Sequence, residues 1–163
     1  MNKRQKGFTL IELLIVVAII LIIAAIAIPN LLRSKMAANQ ASAVGAIRTI
    51  VTSQVTYQST YNAGFAPSLA ALGGTTPCTA SSTSACLVDP VLTTGVKSGY
   101  NFESAANGTN NVNFETDAYP SSIGTTGNDS YCSDETGVIR YNTTGATIGD
   151  AAGACAAITT VLQ

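Results

Sequence analysis

Apolar positions along this chain fall into three regimes. From Phe8 to Ile28 only Thr9 and Glu12 are polar, and Leu13 to Ile28 is an unbroken apolar run of 16 residues. A helix of about 21 residues spans roughly 30 Å, the thickness of a bilayer core. Residues 8-29 are therefore expected to form a hydrophobic transmembrane helix. Residues 30-61 switch to an amphipathic pattern. Val44, Ile47, Ile50, Val51, Val55, Tyr57 and Tyr61 read as one helical stripe, with Thr49, Thr52, Ser53, Thr56, Ser59 and Thr60 opposite. Gln54 and Gln58 interrupt the stripe. Ile47, Val51 and Val55 are the expected core positions of this stalk. Pro29 removes a backbone donor inside the pattern, which reads as a helix end or a kink.

From Asn62 onward Gly, Ser, Thr, Asn and Pro dominate, the texture of loops and short strands. Residues 67-74 read as one or two helical turns stopped by glycine, and residues 75-98 as a loop. Tyr100-Asn101-Phe102-Glu103 and Val112-Asn113-Phe114-Glu115 alternate apolar with polar around Gly108-Thr109-Asn110-Asn111, a hairpin pattern. Val138 to Tyr141 reads as a third strand, and Tyr131-Cys132-Ser133 as a short edge. The expected fold is α+β: a long N-terminal helix packed on a three- or four-stranded antiparallel sheet, with residues 62-163 as the globular head.

Composition sharpens this picture. Charged residues make up 10% of the chain, against about a quarter in an average protein, and the net charge is −1. The chain is no polycation, and Arg33, Lys35 and Arg48 are too few and spaced to predict a nucleic-acid partner. It contains no His. That excludes Ser–His–Asp and Cys–His hydrolases and His-ligated zinc, and no catalytic residues are expected. The 163 residues bound the chain to one ordinary domain.

Lys3, Arg4 and Lys6 precede the apolar run, so the N-terminus is expected in the cytoplasm and the remainder outside. A cleaved signal peptide is one reading, with Ala25-Ile26-Ala27 as its small-residue site. A plain membrane anchor is another. Neither explains Glu12, because a carboxylate in a spanning helix costs ~1–3 kcal/mol depending on depth.

Gly7-Phe8-Thr9-Leu10-Ile11-Glu12-Leu13, continued through Ala25-Ile26-Ala27-Ile28-Pro29, resembles the processing site of type IV pilins and of type II secretion pseudopilins. The resemblance implies residues 1-7 as a leader, cut between Gly7 and Phe8 by a prepilin peptidase that also N-methylates Phe8. The apolar helix is then retained. Cleavage removes three fixed positive charges and creates an amine at Phe8. Within one helix that amine and Glu12 lie about 6 Å apart along the axis. A second copy, shifted along a filament, offers the same amine to Glu12. Phe8, Glu12 and Pro29 are accordingly the expected assembly residues, with Pro29 a kink or a stretch that melts as the subunit leaves the membrane.

The implied function is a structural subunit of an extracellular type IV pilus-like filament, with a type II secretion pseudopilin as the alternative. Implied partners are further copies of the chain, prepilin peptidase, the membrane, an inner-membrane assembly platform and an outer-membrane secretin. The implied route runs from the inner membrane to a surface filament, or to the periplasm for a pseudopilin. Filament roles in adhesion or motility are left open.

All four Cys lie in the head, on the side where disulfides persist. They allow three connectivities. Cys78–Cys86 and Cys132–Cys155 are favoured because both close local loops, and the second resembles the disulfide-closed C-terminal region of many pilins. Asp117, Asp129, Asp134 and Glu135 cluster in a stretch that reads as a solvated acidic loop. Major pseudopilins carry calcium in the corresponding region, which makes Asp129 and Asp134 weak calcium candidates. No other cofactor is expected.

Overall fold

The structure is a computed structural model describing residues 7–162, so Lys3, Arg4 and Lys6 of the expected leader lie outside the described residues. It divides into two compact units after Lys35. Helix α1, Leu10–Tyr61, contributes to both. In the first unit its apolar side chains are exposed: Leu10, Leu21 and Ile28 are among a continuous series open to solvent. This segment is long and apolar enough to cross a membrane, by length and composition. The helix continues through Pro29, which therefore does not end it. Proline has no N–H, so the carbonyl of Ala25, one turn back, loses its usual donor.

The second unit is α+β. After α1 come two four-residue helices, α2 (Leu69–Leu72) and α3 (Pro90–Thr93). The strands are β1 (Val96–Lys97), β2 (Tyr100–Asn107), β3 (Asn113–Pro120), β4 (Ser130–Asp134) and β5 (Arg140–Asn142). They form an antiparallel meander in the order β1-β2-β3-β4-β5. The β2–β3 hairpin is turned by a 3₁₀ segment, Thr109–Asn111, in which Asn110 and Asn111 take the left-handed conformations that Asn tolerates. The sheet is wider than the three or four strands expected from sequence. Val96 and Lys97 pair at one end, within a stretch expected to be loop. At the other end β4 is an interior strand rather than an edge, because β5 pairs along it.

Ala43, Ala46, Ile47, Ile50 and Tyr57 of α1 pack in one cluster with Tyr100, Phe102, Ala118 and Tyr131 of the sheet. Burying each large side chain contributes ~1.5–3 kcal/mol. The buried face of α1 differs from the stripe read in sequence. Val51 is only half-buried and Val55 is 53% exposed, while Ser53 and Gln54 are inside. Val55 lies about 140° around the helix from Ile50. Small residues at 43, 46 and 53 bring the helix close to its neighbours, and Gln54 belongs in the core because it has partners there. Its Oε1 accepts from the Ala66 amide at 2.7 Å, and its Nε2 donates to the Ala66 carbonyl at 3.3 Å and to Ser104 Oγ at 3.2 Å.

Candidate functional site

At the N-terminal motif the local geometry follows from helix-end chemistry. The first amides of a helix lack intrahelical partners, and Thr with Glu three residues later satisfies them reciprocally. Thr9 and Glu12 do this here. Glu12 Oε2 accepts from the Thr9 amide at 2.9 Å and the Thr9 hydroxyl at 2.7 Å, and Thr9 Oγ1 accepts from the Glu12 amide at 3.3 Å. Phe8, immediately before the cap, is 85% exposed. Thr9 was not singled out from sequence, although its spacing to Glu12 is the signature of this capping box. Gly7 and Phe8 precede the helix, so the bond between them lies in non-helical chain.

The head presents a second constellation. Cys78 is bonded to Cys86 and Cys132 to Cys155, leaving no free thiol. The first bridge staples the loop after α2. The second joins β4 to the C-terminal segment, which returns along the sheet. There the Tyr141 amide donates to the Thr160 carbonyl and the Leu162 amide to the Ile139 carbonyl, covering the free side of β5.

Under that segment, β3 offers two carboxylates in alternate positions on one face. Glu115 accepts from the Gly153 amide at 2.7 Å and the Cys155 amide at 3.1 Å. Asp117 Oδ2 accepts from the Gly149 amide at 2.9 Å, whereas its Oδ1 is buried without a partner. Asp117 stands opposite Glu103 on β2 and Cys132 on β4. Burial, reinforced by Glu103 and Asp150, pushes the Asp117 carboxyl up to about 6. Burial also raises the Glu115 carboxyl, outweighing its two amide donors.

The expected solvated acidic loop is therefore not what forms: Asp117 and Asp134 are buried strand residues. Asp134 accepts from Arg140 Nη1 at 3.0 Å and also from the Thr136 amide and hydroxyl. Asp129 accepts from Gln40 Nε2 at 3.2 Å, and its carbonyl takes the Tyr100 hydroxyl at 2.8 Å. Both calcium candidates thus have protein partners. Among the described residues no three Asp, Glu, Cys or His side chains are grouped to hold a metal ion.

The N-terminal segment has a known counterpart. Residues 2–28 match the prokaryotic N-terminal methylation motif. Over 56 residues the chain is 48% identical to the type IV major pilin protein PilA of Myxococcus xanthus, covering 34% of this chain and 26% of that protein. It is 50% identical over 56 residues to the type IV wide pilus major component PilA4 of Thermus thermophilus, 34% of this chain and 43% of that one. It is 40% identical over 47 residues to the type II secretion system core protein G of Dickeya chrysanthemi, 29% of this chain and 31% of that one. The matched segments thus span less than half the length of each relative. No solved structure matches the chain. The match to the methylation motif lies in residues 2–28, and the head is described by its own geometry.

Proposed function

We propose that this chain is a structural, non-catalytic subunit of an extracellular type IV pilus-like filament. Prepilin peptidase cuts between Gly7 and Phe8 and methylates the new Phe8 amine, and the apolar helix then holds the subunit in the inner membrane until assembly. The observation that supports this most directly is the methylation motif continued into a fully exposed apolar helix. Among the described residues an apolar surface of that length has no partner within its own chain, and in water it must be covered by other copies. Glu12 is the register element: a neighbour's Phe8 amine replaces Thr9 as its partner, so two charges enter the filament core as a pair. The assembly platform and secretin are the partners this route requires.

The test is intact mass together with imaging of sheared surface fibres. Long fibres built from a chain beginning at N-methyl-Phe8 support the reading, and native material beginning at Met1 or Ile28 overturns it. A type II secretion pseudopilin is the second reading, favoured by the likeness to core protein G. It predicts the same processed N-terminus in short periplasmic assemblies, with no surface fibre.

A further inference from the structure

Arg48 stands on the exposed side of α1, at a groove of about 600 Å³ whose other walls include Val51, Val138, Ile139 and Val161. In the second unit Lys97 is paired with Asp89 and Arg140 with Asp134, both at 3.0 Å. Arg48 meets no carboxylate among the described residues. A guanidinium is weakly hydrated and presents a planar fork of donors, which suits it to a carboxylate arriving over apolar walls.

The same unit holds a carboxylate with the opposite deficit. Glu103 is exposed on β2, and among the described residues its carboxylate is hydrogen-bonded only to the Tyr119 hydroxyl, at 3.0 Å. It stands directly across from Asp117, and Asp150 also adds to the negative field there. Neighbouring negative charges disfavour one another, and an incoming cation relieves all of them. Glu103 alternates with Phe102 and Ser104, which turn inward to the core, so its side chain faces away from α1. The Arg48 groove is walled by residues 137–139, which lead into β5, and β2 lies three strands away. The positive and negative patches therefore occupy different faces of the unit. Contact between unlike patches on copies of one chain is heterologous, the class of interface that builds an open filament wherever its rotation does not close into a ring.

We propose that Arg48 of one copy receives the Glu103 carboxylate of a second copy, with the groove's apolar walls shielding the pair. This rests on the filament reading above and names one head-to-head contact within it. Glu135 is the rival carboxylate. It is exposed, but it lies two residues in sequence from Gly137, which lines the Arg48 groove, so pairing through it favours a twofold dimer.

The test uses the full chain in a host that processes and assembles it. Arg48→Glu and Glu103→Arg are each expected to lower the mass of sheared fibres by ~10-fold or more. The two reversals together are expected to restore most of it. Mixed Arg48→Cys and Glu103→Cys subunits should form an intersubunit disulfide on mild oxidation, which reports the contact even if the charge reversals disturb folding. Wild-type fibres with normal yield from both single reversals, and no mixed disulfide, overturn the pairing and leave the filament reading intact. Rescue of Arg48→Glu by Glu135→Arg instead of Glu103→Arg also overturns it. Absence of fibres from wild-type cells overturns both readings.

Discussion

Thr9 and Glu12 satisfy each other at the start of α1, so the one carboxylate of the apolar segment already has partners within a single chain. A free carboxylate beside lipid is expensive, and two hydrogen bonds from Thr9 lower that cost before any neighbour arrives. On the filament reading proposed above, assembly is an exchange of partners: neutral donors from the same turn give way to a cationic amine from another copy, which binds a carboxylate more strongly.

Substitutions at the two positions should therefore separate. Glu12→Ala is expected to leave cleavage and methylation intact and to abolish most fibre formation, since one buried charge loses a partner worth ~3–5 kcal/mol. Thr9→Val removes the cap at ~1 kcal/mol but keeps the carboxylate. It should leave fibre yield far less affected. Equal yields from Glu12→Ala and wild type, scored on sheared fibres, would contradict the exchange.

The head should lose stability as pH rises through the mildly acidic range. Asp117 holds its proton more tightly in the folded chain, at about 6, against an ordinary aspartate value of 3.8. The unfolded chain therefore binds fewer protons between those values, and stability falls with rising pH. The contribution is full below about 3.8 and lost above about 6, a change of up to about 3 kcal/mol. Glu115 is raised as well and acts in the same direction. Thermal melts of the detergent-solubilised chain should show a lower midpoint at pH 8 than at pH 5, and Asp117→Asn should flatten the dependence. A midpoint that rises over that interval contradicts it.

Gln54 fastens the loop after α1 by both ends of its amide. Gln54→Leu keeps the bulk but strands the Ala66 amide and carbonyl in the core, each at ~1–3 kcal/mol. A large fall in the urea midpoint with an unchanged slope is the expected result. Gln58→Leu, on the exposed side of the same helix, should barely move it.

The two disulfides should differ in worth. Their sequence separations are 23 for Cys132–Cys155 and 8 for Cys78–Cys86. Loop-closure entropy alone gives ~3.4 and ~2.5 kcal/mol respectively. Replacing Cys132 and Cys155 together with Ser is thus expected to lower the melting midpoint more than the same change at Cys78 and Cys86. It should also open residues 143–160 to proteolysis first.

The long helix, the β2–β3 hairpin and the N-terminal methylation motif were legible because each has a local signal: a sustained apolar run, strict alternation around a polar turn, and a fixed spacing. What escaped was decided by contacts distant in sequence. Gln54 looked like a break in the apolar stripe because its partners, Ala66 and Ser104, belong to other elements. Val55 looked like core because hydrophobicity alone does not reveal which side of α1 the sheet will cover. Asp117 and Asp134 read as solvated because nothing in their own neighbourhood announces the segment that returns over β3 or the guanidinium of Arg140. Thr9 was legible in principle, since its spacing to Glu12 carries the capping signal.

Both bridges close their rings within the head. A protease that clips at Ser81, inside one ring, or at Thr144, inside the other, therefore severs the backbone without releasing a fragment. Such damage stays silent until a reductant arrives, and a fibre made of these subunits would keep its length through attack outside the cell.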